Sequence, residues 1–153
     1  YSLIDVGSSY LLADILSAVA IAQFKKLNDI IKLRKRHARY FLNNLADLAV
    51  IIRLPIVRSF ADSDWHIFAL LVEPKKRDTL LDFLKNSGIQ ASSHYLPLHS
   101  SVLGIKLGWN KRDLPNTDFV SRAIVRLPLY PSLSKKELDY IVKKIHEAAR
   151  KIF

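Results

Sequence analysis

The first third of the chain carries apolar side chains at three- and four-residue intervals, the spacing of one face of an α-helix. Neither proline nor glycine interrupts residues 13–48, so the pattern predicts one helix of roughly 50 Å at 1.5 Å per residue. Around residues 18–22 the predicted helix is apolar on nearly every side. Because such a helix requires burial from several directions, we expect another domain or subunit to cover it.

Beyond residue 50 the apolar runs become shorter and richer in aromatic and β-branched residues. This composition predicts a buried strand at residues 65–72. Residues 89–95 and 125–129 are the second and third predicted strands. Residues 96–116 lack periodicity and predict a long loop, a type of segment that is often functional in compact domains.

Three further helices are predicted between and after these strands. Residues 77–87 form the first, with Pro74 near its start and Gly88 at the position after its C-terminus. A short helix is predicted at residues 118–123. Ser134 and Glu137 have the spacing of a capping box, which predicts a last helix running towards the end of the chain.

The order of these elements defines the expected fold class. A long N-terminal helix is followed by three strands alternating with helices, which predicts an α/β domain of two layers, α+β-like, with a small sheet and helices on one face. We divide the chain into residues 1–50, a linker segment and the long helix, and residues 51–153, a small C-terminal domain.

Composition narrows the classes of function. The 153 residues suit one domain, and half of them are apolar, which is sufficient for a hydrophobic core. The absence of cysteine excludes disulfides and thiolate metal sites, and it fits a cytoplasmic protein. No apolar stretch approaches the roughly 20 residues of a membrane span, and no signal peptide is recognisable. The chain begins at Tyr1, not Met, within a sequence typical of structured chain, so we expect an artificial boundary or a cleavage point there.

The net charge of +10, from 24 Lys and Arg against 14 Asp and Glu, indicates an anionic partner or an acidic remainder of the protein. Residues 32–39 are the strongest candidate for contact with nucleic acid. On a helix, however, Arg34 and Arg36 point about 200° apart, and no aromatic residues interleave the run to stack on bases. A solvated helix face is the favoured interpretation, and we expect no nucleic acid and no membrane as partner.

Two motifs carry candidate binding chemistry. Gly7-Ser8-Ser9-Tyr10 precedes the long helix, where hydroxyls and free backbone N–H groups can bind a phosphate, although an ordinary turn also fits. His94-Tyr95-Leu96-Pro97-Leu98-His99 places two imidazoles and a phenol at a predicted strand end. These groups can donate hydrogen bonds to phosphate or sugar hydroxyls, transfer protons, or serve a structural role. No third ligand at a suitable spacing accompanies the histidines, so we expect no metal.

Taken together, these motifs resemble the DegT-type nucleotide-sugar aminotransferases, and the resemblance covers essentially the whole chain. The subgroup that it resembles most acts on dTDP-4-keto-6-deoxyglucose. The matching segments are Asp5-Val6-Gly7-Ser8-Ser9-Tyr10-Leu11, Ala22-Gln23-Phe24, His94-Tyr95-Leu96-Pro97-Leu98-His99, Leu114-Pro115-Asn116-Thr117 and Arg126-Leu127-Pro128-Leu129-Tyr130.

The resemblance implies the small C-terminal domain of a fold-type-I enzyme dependent on pyridoxal phosphate (PLP). It implies that residues 1–50 bridge to a large domain that carries the Schiff-base lysine. No lysine of this chain matches that motif, so we expect no catalytic residue here, no PLP bound to this chain alone and no activity without the large domain. The complete protein would be a homodimer that transfers an amino group to a keto-sugar nucleotide. A stand-alone, non-catalytic binding module derived from this domain is the alternative.

Individual roles follow from the resemblance position by position. Ser9, with Ser8 and Tyr10, occupies the segment that reaches the partner subunit's PLP phosphate. Much of the family has asparagine where Ser9 stands and arginine where Leu11 stands, so a charged contact from the latter position is in doubt. His94, Tyr95 and His99 match positions that approach the sugar nucleotide.

Overall fold

The computed structural model describes residues 11–110 and 113–153. The described chain contains six α-helices, two short 3₁₀ turns and two strands. In chain order these are α1 (Asp14–Phe24), α2 (Leu27–Asn44), a turn (Ala46–Leu48), β1 (Phe68–Leu71), α3 (Pro74–Asn86), a turn (Leu98–Ser100), α4 (Val102–Lys106), α5 (Pro115–Ala123), β2 (Ile124–Leu127) and α6 (Lys135–Ile152).

The two strands form an antiparallel sheet with one buried face. Phe68 lies opposite Leu127 and Leu70 opposite Val125, and all four side chains are buried. The alternate residues of each strand are only partly buried, as the period of two requires. Single antiparallel bridges extend the layer at both edges, from Arg53 to Leu71 and from Ser92 to Arg126.

Helices α2, α3 and α6 provide the second layer. The core combines the buried face of the sheet with Phe41 of α2, Leu80 and Leu84 of α3, and Ile141 and Ile145 of α6. This arrangement confirms the predicted fold class, a mixed α/β domain of two layers with a small sheet.

The end helix begins as predicted. The Ser134 hydroxyl accepts a hydrogen bond from the backbone N–H of Glu137, and the Glu137 carboxylate accepts one from the backbone N–H of Ser134, which completes the capping box. Gly88, at φ +75°, follows α3 in the left-handed conformation that glycine adopts at helix ends.

The long helix predicted for residues 13–48 is wrong as a single element. It is divided at Lys25 and Lys26, between α1 and α2. The N–H of Lys26 bonds to the carbonyl of Gln23, three residues back, which tightens the turn and interrupts the regular ladder. Neither proline nor glycine marks the break.

No side chain of α1 is buried, whereas α2 buries His37, Ala38 and Phe41. Ile15 is 80% exposed and Phe24 is 74% exposed. The described part of the chain therefore leaves the apolar circumference of α1 uncovered.

Two predicted strands differ from the observed structure. The strand predicted at residues 65–72 starts only at Phe68, because Trp65 has a φ of +52° and breaks the extended backbone. Residues 89–95 pair with the sheet only through Ser92, because the N–H of Ala91 bonds back to the carbonyl of Ile89.

The predicted loop at residues 96–116 is partly helical. It contains the turn Leu98–Ser100 and helix α4, and α5 begins within it at Pro115. The turn and α4 are both too short for a period of 3.6 residues to be visible in the sequence.

Candidate functional site

The His94 segment is attached to the sheet by backbone pairing. The N–H of Arg126 donates to the carbonyl of Ser92 at 2.7 Å, and the N–H of Ser92 donates to the carbonyl of Arg126 at 3.1 Å. This bridge places His94, two residues further on, beside the side chain of Arg126. Nδ1 of His94 lies 3.3 Å from Nη1 of Arg126.

His94 and Tyr95 form an exposed pair. Their ring centroids are 5.0 Å apart with an interplanar angle of 62°, an edge contact. Tyr95 is 83% exposed, and His94 is also exposed. The structure therefore brings together two of the three predicted substrate-binding residues, and both are exposed.

His99 has a different environment from the other two. It is 5% exposed, and its Nε2 lies 3.3 Å from Oδ1 of Asp118 on α5. The contact lacks hydrogen-bond alignment, so Nε2 has no aligned partner among the described residues. A contact between His99 and the sugar nucleotide stays a prediction, as it does for His94 and Tyr95.

Gly104 allows α4 to approach the turn that contains His99. A Cβ at this position would lie 2.1 Å from the carbonyl oxygen of Leu98 and 2.8 Å from that of His99. The hydroxyl of Ser101 caps α4 by accepting from the N–H of Gly104 at 3.0 Å. A glycine is therefore required here for close packing, and the sequence pattern did not indicate it.

An apolar groove of about 560 Å³ lies beside His99. Its large lining residues are Leu98, Leu103, Leu107, Trp109 and Leu114, all of them exposed.

Ser8, Ser9 and Tyr10 lie outside the described residues. Their predicted role at the PLP phosphate of the partner subunit is untested.

The basic side chains of α2 are partly neutralised. Nζ of Lys35 lies 2.6 Å from Asp62 and 3.4 Å from Asp64, and the hydrogen bond to Asp62 raises the pKa of this lysine. Arg34 donates to the carbonyl of His66 at 3.4 Å.

No helix within the described ranges is long and apolar enough to cross a membrane. The same residues contain no group of three potential metal ligands.

A Schiff-base lysine generally has a lowered pKa, which burial or a neighbouring cation provides. None of the lysines in residues 11–110 and 113–153 is buried. Hydrogen bonds to Asp62, Asp139 and Glu147 raise the pKa values of Lys35, Lys135 and Lys144 respectively, which is the opposite direction.

Arg126 and Asp118 are the residues that reasoning from sequence missed. Arg126 stands in the closing motif, but its proximity to His94 depends on the bridge to Ser92. Asp118 appeared only as the start of a short predicted helix. Neither pairing has a local signal, because 32 residues separate Arg126 from His94 and 19 separate Asp118 from His99.

Comparison with known proteins places these features in a family. The spore coat polysaccharide biosynthesis protein SpsC of Bacillus subtilis is 26% identical over 98% of this chain and 40% of its own length. A DegT/DnrJ/EryC1/StrS aminotransferase structure from Brucella abortus is 26% identical, with a TM-score of 0.85, over 99% of this chain and 39% of that chain. This chain therefore spans about two fifths of the length of these relatives.

A third relative has the same fold, and its structure is described as the PLP form. The Streptococcus pneumoniae protein Spr1654 in its PLP form is 22% identical, with a TM-score of 0.84, over 93% of this chain and 37% of that chain. The fold is thus that of the small domain of fold-type-I aminotransferases. The sequence model of one family matches residues 1–146. The chain belongs to the DegT/DnrJ/EryC1/StrS aminotransferase family.

Proposed function

We propose that this chain is the C-terminal portion of a PLP-dependent aminotransferase that acts on a keto-sugar nucleotide. The amino donor is an amino acid, with glutamate the expected one, and dTDP-4-keto-6-deoxyglucose is the expected acceptor. The product would enter surface-polysaccharide or deoxysugar biosynthesis in the cytoplasm. The observation that carries the proposal is the family match over residues 1–146 of the 153.

In this proposal the exposed pair His94 and Tyr95 belongs to the mouth of the substrate site. Imidazole and phenol groups at a surface can donate hydrogen bonds to phosphate oxygens and sugar hydroxyls. Arg126 adds a positive charge within 3.3 Å of the His94 ring. The net charge of +10 favours the approach of a substrate that carries a pyrophosphate.

The cofactor would be held mainly by the part of the protein that this chain lacks. PLP, when bound, supplies an electron sink for the amino-transfer chemistry. The lysine environments described above support a position for the Schiff-base lysine elsewhere in the complete protein. Ser8, Ser9 and Tyr10 would reach the cofactor phosphate of the partner subunit in a homodimer.

The exposed circumference of α1 supports the assembly that this proposal requires. A helix with large apolar side chains on all sides is unfavourable in water. The large domain and the partner subunit would cover α1 and thereby remove the free-energy cost of exposing its apolar side chains to water.

The test is an amino-transfer assay on the complete protein, with ¹⁵N-labelled glutamate, PLP and dTDP-4-keto-6-deoxyglucose. We expect ¹⁵N in a nucleotide amino sugar from the complete protein and none from this chain alone. PLP bound by the complete protein without amino transfer to any keto-sugar nucleotide would contradict the proposal.

The substrate-binding role of His94 has a separate test in the same assay. His94→Asn removes the imidazole, and we expect the KM for the nucleotide sugar to rise roughly tenfold, the effect of one lost hydrogen bond to a charged group. His66→Asn is the matched control, because His66 is also exposed and lies outside the signature. An unchanged KM for His94→Asn would remove this residue from the site.

A further inference from the structure

Arg126 is held in a rigid position by the sheet. Its backbone pairs with Ala69 of β1 on one side and with Ser92 on the other. Its neighbours Val125 and Leu127 are buried, so the side chain of Arg126 leaves the sheet on the opposite face. Nε of Arg126 is itself buried and has no hydrogen-bond partner in the described part of the chain.

The contact between Arg126 and His94 fixes which atom donates the hydrogen. A guanidinium has five N–H donors and no acceptor, and it stays protonated in proteins. A hydrogen bond from Nη1 of Arg126 therefore requires a lone pair on Nδ1 of His94, 3.3 Å away. An imidazole with a free lone pair on Nδ1 is neutral and carries its proton on Nε2.

We propose that Arg126 is a positioning residue that holds His94 in the Nε2–H tautomer, so that His94 presents a fixed hydrogen-bond donor. In this tautomer the lone pair on Nδ1 is engaged by Arg126, and Nε2 offers a ligand a hydrogen but no lone pair. The group that it recognises must offer an acceptor oxygen, as phosphate and sugar hydroxyls do. That this oxygen belongs to a nucleotide sugar rests on the proposed function, whereas the tautomer does not.

The Tyr95 ring supports the same arrangement. Its ring makes an edge contact with His94 at a centroid distance of 5.0 Å and an interplanar angle of 62°. A ring held by Arg126 at one nitrogen and by Tyr95 at its edge keeps Nε2–H in one direction. A donor that is oriented before binding loses less conformational entropy when the ligand arrives.

The tautomer can be measured directly on this chain. Long-range ¹H–¹⁵N correlation spectra of ¹⁵N-histidine-labelled protein distinguish protonated from unprotonated ring nitrogens. At a pH where free imidazole is neutral, we expect His94 to show a protonated Nε2 and an unprotonated Nδ1. A protonated Nδ1 in the wild-type chain would overturn the proposal.

Arg126→Met tests whether Arg126 is the cause, because it removes the donor and leaves the backbone bridge to Ser92 possible. We expect a population of the Nδ1–H tautomer to appear in this variant. Arg126→Lys keeps a cationic donor and should retain the Nε2–H tautomer. Arg122→Met is the matched control, because Nε of Arg122 bonds to the carbonyl of Asp118 instead. Spectra of Arg126→Met identical to those of the wild type would contradict the positioning role.

The consequence for binding is measured in the complete protein. Arg126→Met should raise the KM for the nucleotide sugar roughly tenfold, since the donor is no longer oriented, with a smaller change in kcat. Arg122→Met should leave both unchanged. An unchanged KM for Arg126→Met would show that the tautomer does not serve substrate binding. Wild-type protein without amino transfer would instead contradict the proposed function, and the NMR result would still decide the tautomer.

Discussion

At the scale of the residue, close packing around Gly104 determines the position of His99. The absence of a side chain allows α4 to lie against the carbonyl groups of Leu98 and His99. His99 is in turn buried beside Asp118. The segment that follows the exposed His94–Tyr95 pair is thus held by contacts that tolerate little change in volume.

Gly104→Ala should destabilise the chain by about 2 kcal/mol, because the new methyl group would overlap the backbone oxygen of Leu98 and force the turn and α4 apart. The measurement is the urea midpoint at constant m-value.

Gly108→Ala is the matched control for Gly104→Ala. No atom lies within 4 Å of a Cβ at that position, and only the backbone strain at φ +93° remains, worth about 1 kcal/mol. A smaller loss for Gly104→Ala than for Gly108→Ala would contradict the packing argument.

The His94 signature, residues 94–99, shows how much the sequence predicts about individual residues. The signature predicted a cluster of polar groups, and the structure brings His94 and Tyr95 together at the surface. It places His99 in the interior, and nothing in the motif itself distinguishes an exposed histidine from a buried one. Burial depends on α4 and α5, which approach from later in the chain.

At the scale of the element, α6 has the strongest local signals. Its capping box predicted the start of the helix, and the structure confirms it. The strand predicted at residues 89–95 had no comparable signal. Only three of its seven residues are apolar, and such a segment does not specify whether a partner strand is available for pairing.

Because of the capping box, the free energy of unfolding should depend on pH. Hydrogen bonds from the hydroxyl and the backbone N–H of Ser134 hold the pKa of Glu137 below its ordinary value of 4.5. Because the folded form has the lower pKa, this contribution is fully present above pH 4.5 and is lost as the pH falls through the folded pKa.

Glu137→Gln should therefore lose stability at neutral pH and show a shallower decline of the urea midpoint on acidification than the wild type. Glu73→Gln is the control, since the Glu73 carboxylate is exposed and makes no side-chain hydrogen bond to the described residues. Parallel acid profiles for Glu137→Gln and the wild type would contradict the role assigned to the capping box.

At the scale of the whole molecule, the chain divides into a packed domain and an uncovered helix. Phe41 of α2 is fully buried and packs on Phe68 with ring centroids 5.1 Å apart. Phe24, at the end of α1, is 74% exposed. Phe41 thus belongs to the core, whereas Phe24 in the neighbouring helix does not.

Phe41→Ala should lower the free energy of unfolding by about 3–5 kcal/mol, through lost burial and the cavity that remains. Phe24→Ala should change it by less than about 0.5 kcal/mol in this chain. Thermal or urea unfolding of the two variants measures both values. Equal losses would show that α1 is part of the folded core.

The exposed apolar surface of α1 should also drive association of the isolated chain. We expect concentration-dependent oligomers in sedimentation experiments, because burial of that surface in water is favourable.

Ile15→Glu combined with Val19→Glu places charges on this surface and should shift the chain to the monomer. The control is Val50→Glu, at a residue that is 98% exposed outside α1. A monomeric wild-type chain at high concentration would contradict the need for an external cover.

The sequence by itself determined the features that depend on neighbours along the chain. These are the fold class, the capped helix α6, the glycine after α3, the apolar circumference of α1 and the family signature. Only the tertiary structure decided the break between α1 and α2, the single bridge at Ser92, the burial of His99 and the pairing of Arg126 with His94. The bridge at Ser92, the burial of His99 beside Asp118 and the pairing of Arg126 with His94 depend on contacts between residues far apart in sequence, whose free energy no local pattern records. The break between α1 and α2 is local, but neither proline nor glycine marks it in the sequence.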